Sequence, residues 1–83
     1  MIEGFASIQD FLLHHVLRES EEQSFLALHK AVSFLVEKDT SLDVIDAELE
    51  EIATKLYVMR RTDLNGVVND VHECLHGYAY PEI

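Results

Sequence analysis

Cysteine, proline, glycine and basic residues are all scarce in this chain, and tryptophan is absent. Its 83 residues include one Cys, one Pro, three Gly and six Lys or Arg. A single Cys excludes an internal disulfide framework and is typical of a reducing compartment, so we expect a cytoplasmic protein. No run of about 18 apolar residues occurs, so we expect no membrane-spanning helix. The three glycines are scattered and form no phosphate-binding loop.

The shortage of basic residues leaves a strongly acidic chain. Sixteen Asp and Glu against six Lys and Arg give a formal charge of −10. That charge repels nucleic-acid backbones and anionic lipid surfaces, so we expect neither as the main partner. Half of the six bases cluster at Lys55, Arg60 and Arg61, where we expect them to oppose the dipole at a helix end. With 48% hydrophobic residues, the chain is too apolar for a disordered acidic tail.

Apolar residues recur at three- and four-residue spacing, as in amphipathic helices, and nowhere alternate as in a half-buried strand. We therefore predict an all-α fold, a small antiparallel bundle of three to four helices in one domain of residues 1–83. The predicted helices cover residues 7–18, 21–37, 42–60 and 63–77. Ser20 to Gln23 has the form of a capping box at the start of the second helix. Asn65-Gly66 is also compatible with a turn, which would start the last helix near Val67.

The second and third predicted helices carry more apolar surface than one short chain should bury. The second is apolar around most of its circumference, and the third has a heptad seam from Leu42 to Met59. A chain of this length buries only about 60–65% of its unfolded surface, so we predict a homodimer. The residues expected in the core or the dimer contact are Phe25, Leu28, Val32, Leu35, Leu49, Ile52 and Leu56.

The outer side of the third predicted helix holds a dense acidic row. Five of the 16 carboxylates fall between Asp43 and Glu51. Such a row is either a solvated helix face or a docking surface for a basic partner, whose association the opposite charges accelerate. In the second interpretation, the partner-binding residues are Asp43, Asp46, Glu50 and Glu51.

The segment His72-Glu73-Cys74-Leu75-His76 matches the H-E-x-x-H pattern of zinc hydrolases. Helical spacing would place both imidazoles on one face, with the Glu between them as a general base. A catalytic zinc needs a third protein ligand, and Glu82, six residues after His76, lies beyond Pro81 in a tail without evident support. Because 83 residues also leave little material for a substrate cleft, we predict no enzymatic activity, no catalytic residues and no cofactor.

His14 or His15 could join the H-E-x-x-H segment in a structural or adventitious metal site. His72 and His76 are the candidate metal ligands, and are otherwise expected on a solvated flank. Cys74 is expected to be a buried, unreactive thiol.

Histidine is common for so short a chain. Protonating all five His residues would move the formal charge from −10 to −5, which suggests a response of binding or assembly to mild acid. His14 and His15 are adjacent and diverge by about 100° on a helix, so we expect them on the surface and not at one site.

A short acidic segment at Glu21-Glu22, a helix that ends in Phe34-Leu35-Val36, and a second amphipathic helix from Leu42 follow one another in the chain. This pattern resembles the AriR/YmgB family of biofilm regulators over about half of the sequence. The resemblance implies a small, dimeric, all-helical regulator of biofilm formation and acid resistance that acts by binding other proteins. It assigns no functional residue.

We therefore expect a small acidic regulator or adaptor that is not an enzyme and that binds a protein partner with a basic patch. One alternative is an inhibitor of a nucleic-acid-binding or toxin protein, of the immunity, antitoxin or anti-defence type. An alternative of another class is a metal-dependent hydrolase centred on His72, Glu73 and His76.

Overall fold

A computed structural model describes residues 4–79 of the chain, and the side chains of residues 4–75. Its helices are α1 (Ile8–Val16), α2 (Glu21–Glu37), α3 (Leu42–Val58) and α4 (Thr62–Ala79), and no strand occurs in this part of the chain. The predicted all-α fold is confirmed. Within residues 4–79, no helix combines the length and the apolar character needed to cross a bilayer.

Serine side chains start the first three helices. Each serine oxygen accepts a hydrogen bond from a backbone N–H of the first turn, which would otherwise lack a partner. The acceptor and donor residues are Ser7 and Asp10, Ser20 and Gln23, and Ser41 and Asp43, each pair 3.2 Å apart. The starts of these helices are therefore encoded locally.

Helices α2 and α3 end in the same left-handed turn. Asp39 and Arg60 have φ angles of 62° and 64°, a conformation that costs a residue with a Cβ about 1–2 kcal/mol. In each turn the next amide donates to the carbonyl five residues back: Thr40 to Leu35 at 3.0 Å, and Arg61 to Leu56 at 2.8 Å. These hydrogen bonds form the Schellman pattern, which satisfies carbonyls at the helix end. The turn at Arg60 ends α3 two residues before the predicted end at residue 60.

The segment Asn65-Gly66 lies inside α4, not in a turn before it. The side-chain amide of Asn65 donates to the backbone carbonyl of Ala53 on α3 at 2.6 Å. Helix α4 already begins at Thr62, so the alternative start near Val67 is wrong. The contact of Asn65 with Ala53 also ties the beginning of α4 to α3.

Helix α1 packs against α2 and α3, and α4 packs against the same two helices. The pairs α1–α4 and α2–α3 make much less contact. The order around the bundle is therefore α1, α2, α4, α3. Helices α2 and α3 follow each other in the chain but lie diagonally across the bundle, whereas their short connection alone suggested direct neighbours.

The heptad seam of α3 is buried inside this single chain. Ile45, Leu49, Ile52 and Leu56 are at most 1% exposed, and Met59 at the end of the seam is 48% exposed. The seam packs in a core with apolar residues of the other helices and needs no second copy to cover it. Of the residues predicted for the core or the dimer contact, Phe25 is half-buried at the edge of the core and the others are buried: Leu28, Val32, Leu35, Leu49, Ile52 and Leu56.

Ser24 on α2 is the one buried polar residue among the side chains that the structure describes, and it is fully buried. Its hydroxyl has no hydrogen-bond partner in the part of the chain that the structure describes. A buried hydroxyl without a partner is destabilising by about 1–3 kcal/mol, because it has lost its hydrogen bonds to water. Periodicity did not single out this position, since serine is compatible with either face of a helix.

Candidate functional site

The acidic row of α3 faces away from the core. Asp43, Glu50 and Glu51 are exposed, whereas Ile45 and Leu49 on the opposite side of the same helix are buried. This division follows from the helical repeat of 3.6 residues. Three of the four predicted partner-binding residues are therefore accessible to another molecule.

Asp46, the fourth predicted partner-binding residue, lies apart from the other three. Its Oδ1 atom is 3.2 Å from Nε2 of His72 on α4, and the two side chains are 28% and 38% exposed. The contact joins α3 to α4, so Asp46 is engaged within the chain and His72 is not on a fully solvated flank. The acids that remain for docking are Asp43, Glu50 and Glu51.

Large apolar side chains are exposed on the same helix. The described residues include six large hydrophobic side chains that are exposed, and four of them lie on α3 or at its C-cap. They are Val44 at 42%, Tyr57 at 69%, Val58 at 74% and Met59 at 48%. Single exposed hydrophobic residues are common on protein surfaces, whereas four on one helix make that helix a candidate contact surface.

We call the exposed side of this helix the α3 outer face and define it by Asp43, Val44, Glu50, Glu51, Tyr57 and Val58. With 17 residues, α3 is about 25 Å long. Apolar side chains lie near both ends of the face, and the carboxylates of Glu50 and Glu51 lie between them. A partner that covers this face must therefore offer apolar contacts together with positive charge.

The three clustered bases at the end of α3 differ in their surroundings. Lys55 lies in the last turn, where its charge opposes the helix dipole as predicted, and Arg60 occupies the left-handed turn. Arg61 donates from Nε and Nη2 to the two carboxylate oxygens of Asp63, both at 3.4 Å. The hydrogen bond from Arg61 lowers the pKa of the Asp63 carboxyl, and the charge of the guanidinium adds to that effect.

The H-E-x-x-H segment does not form a described metal site. Among the described side chains, no group of three or more His, Cys, Asp or Glu could hold a metal ion. His72 contacts Asp46 on α3, and the side chain of His76 lies outside the described residues. The described side chains therefore do not assemble a hydrolytic centre.

Cys74 is exposed, so the prediction of a buried thiol is wrong. Val71 and Leu75 occupy the buried row of α4, at 1% and 6% exposure. Cys74 instead lies beside this row, at the edge of a groove between α2 and α4. A rotation of about 100° per residue is enough to separate a buried position from its exposed neighbour.

His14 and His15 lie together, although their positions in the sequence suggested divergence. Their ring centroids are 5.1 Å apart, and the ring of Phe5 lies 5.2 Å from His14 and 6.1 Å from His15. Nδ1 of His15 donates to the carbonyl oxygen of Phe11 at 2.7 Å. The cluster depends on Phe5, which precedes α1, so the helical spacing of the two His residues could not reveal it.

Comparison with protein-family models, with curated proteins and with solved structures finds no match for this chain. The resemblance to the AriR/YmgB family therefore stays a prediction.

Proposed function

We propose that this protein is a small acidic regulator or adaptor without enzymatic activity, and that it binds a protein partner through the α3 outer face. The observation that carries the proposal is the coincidence of exposed apolar and acidic side chains on one helix. Tyr57 and Val58 are 69% and 74% exposed beside an acidic row that includes Glu50 and Glu51. An acidic row alone would be equally compatible with a solvated face.

The two kinds of side chain serve different steps of binding. The carboxylates of Asp43, Glu50 and Glu51 attract a basic partner over a distance, which raises the association rate at low salt. Tyr57 offers a large apolar ring and a polar hydroxyl, and tyrosine is enriched among the residues that dominate binding energy. The partner is therefore expected to have a basic patch next to an apolar pocket.

The homodimer and the link to biofilm and acid-resistance control stay predictions. The heptad seam no longer argues for a dimer, because Ile45, Leu49 and Ile52 are buried within one chain. Any self-association would have to use exposed residues. Apposed copies of the α3 outer face would place Glu50 and Glu51 near the same carboxylates of the second copy, which is unfavourable.

The test is affinity capture from native lysate with three immobilised proteins: wild type, Tyr57→Ala, and the double variant Glu50→Lys with Glu51→Lys. We expect a partner that wild type retains and both variants lose, with retention by wild type weakened at high salt. A matched control carries the same charge change at the exposed residues Glu19 and Glu73, away from α3. A partner that the control loses equally responds to net charge alone, and that result would contradict the proposed surface.

A further inference from the structure

A second concave surface lies between α2 and α4, away from the α3 outer face. It is a groove of about 340 Å³. Val32 and Val36 of α2 and Val71 and Leu75 of α4 contribute its apolar residues. Val32, Val71 and Leu75 are at most 6% exposed, so they form the floor. On each helix the two apolar residues are four positions apart, and such a pair forms a ridge of the kind against which another helix can pack.

The edges of the groove are polar and acidic. His29, Ser33 and Glu37 recur every four residues along the α2 edge, and Cys74 lies on the α4 edge. Asp70 is exposed and lies one helical turn before Cys74 on the same side of α4. None of the described residues that line the groove is Lys or Arg. The groove therefore combines an apolar floor with carboxylates at its rim.

Leu26 extends this surface along α2. It precedes His29 by three residues, lies on the same side of the helix, and is 62% exposed. From Leu26 to Glu37 the edge is about 16 Å long, which corresponds to about three turns of a docked helix.

We infer that this groove binds an amphipathic helix of another protein, with the helix's apolar side on the floor and its basic residues toward Glu37 and Asp70. Lys30 is exposed on the same side of α2 as Leu26. The charge complementarity nevertheless selects a basic helix, because Glu37 lines the groove, Asp70 lies beside it, no Lys or Arg is among the described lining residues, and the whole chain carries a charge of −10. Helices α2 and α3 are diagonal in the bundle, so the groove and the α3 outer face can be occupied at the same time. The protein would then connect two partners.

Cys74 provides the test, because it is the only thiol in the chain and lies in the groove. The probe is a synthetic 14-residue peptide with Leu on one helical side and Lys elsewhere; the control peptide has the same composition in scrambled order. At saturating concentration we expect the amphipathic peptide to slow alkylation of Cys74 at least about fivefold and the scrambled peptide less than about twofold. The readout is local, so basic peptide bound at the α3 outer face does not register.

Matched variants locate the effect. Ser33→Arg places bulk and positive charge in the groove at an exposed position, and should abolish the protection of Cys74 by the amphipathic peptide. Thr54→Arg makes a comparable change at an exposed position on α3 and should leave that protection intact. The double variant Glu50→Lys with Glu51→Lys should also keep the protection, even where it loses the partner of the α3 outer face. The two proposals can therefore fail separately.

Four results would overturn the inference. Equal protection by both peptides would show attraction of charge without a helix-binding groove, and absence of protection at about 1 mM peptide would show that no such helix binds. Protection that rises with protein concentration in the absence of peptide would assign the groove to a second copy. If removal of residues 80–83 speeds the alkylation of Cys74 and the peptide does not compete for the groove, the groove is occupied by the end of this chain.

Discussion

The substitution Ser24→Ala should stabilise the protein, although it removes a polar group from a helix without adding a contact. Ser24 is fully buried and its hydroxyl has no described hydrogen-bond partner. Removing a hydroxyl in that state recovers about 1–3 kcal/mol of desolvation free energy. Alanine also has a higher helix propensity than serine, which adds about 0.5 kcal/mol. The wild-type side chain is small, so the lost volume subtracts little from this gain.

The net expectation is an increase of about 1–2 kcal/mol in the free energy of unfolding. For a domain of this size, each kcal/mol raises Tm by about 4–8 °C, so the shift is large enough to measure. The assay is urea denaturation followed by circular dichroism at 222 nm, together with a thermal scan. An unchanged m-value would show that stability, and not the extent of unfolding, has changed.

Ser33→Ala is the matched control, because Ser33 lies on the same helix and is exposed. There the substitution changes helix propensity only, so we expect a gain of about 0.5 kcal/mol or less. The difference between the two variants isolates the burial of the hydroxyl. If Ser24→Ala is no more stabilising than Ser33→Ala, the hydroxyl is satisfied in solution and the reasoning is refuted.

Four further predictions concern the core, the turns and the charges. Leu49→Ala should lower the free energy of unfolding by about 3 kcal/mol in urea denaturation, and by the same amount at low and high protein concentration, because the seam is internal. Arg60→Gly should raise the free energy of unfolding by about 1 kcal/mol in urea denaturation, since glycine adopts positive φ without strain, whereas Arg60→Ala should show no such gain. In a double-mutant cycle of Asp46→Asn and His72→Ala followed by urea denaturation, the coupling free energy should be about 0.5 kcal/mol, because the two side chains contact each other between α3 and α4. Asp63→Asn should be destabilising at neutral pH, and its difference from wild type in pH-dependent urea denaturation should vanish in acid. The pKa of Asp63 is lowered in the folded state, so the carboxylate stabilises the fold above the unfolded-state pKa. That stabilisation is lost as the pH falls through the folded-state pKa.

Each of these predictions has a contrary result. A loss of stability in Leu49→Ala that changes with protein concentration would place the seam of Leu49 at a subunit contact. Equal gains from glycine and alanine at position 60 would remove the left-handed turn as the cause. A coupling free energy between Asp46 and His72 that is indistinguishable from zero would mean that their contact does not stabilise the fold. A deficit of Asp63→Asn that persists at about pH 2 would exclude its ionised carboxylate as the source.

The helices could be predicted because their signals are local. The apolar spacing of α3 identified Ile45, Leu49 and Ile52 as one row, and those residues are buried. Ser20 identified the start of α2 through a hydrogen bond that spans three residues. The ends were harder to place, because the left-handed turns at Asp39 and Arg60 use residues that carry no glycine signal.

The candidate site could be predicted only in part, for a physical reason. Helical spacing shows which residues share a side, and it correctly separated Asp43, Glu50 and Glu51 from the seam. It does not show which helix comes next to that side. The contact of Asp46 with His72 exists because α3 packs against α4. Cys74 is exposed because the packing of α2 and α4 leaves a groove between them.

The sequence by itself determined the helical class, the starts of the helices and the acidic charge of −10, because these depend on composition and on interactions within a few residues. The tertiary structure decided where the apolar surface went. Helices α2 and α3 lie diagonally across the bundle, and α1 and α4 each pack against both of them. This arrangement covers the seam of α3 within one chain. Among the described residues left exposed are Tyr57 and Val58 on α3 and Leu26 beside the α2–α4 groove, where we propose that partners bind. Their exposure depends on the packing of distant segments, which no local pattern contains.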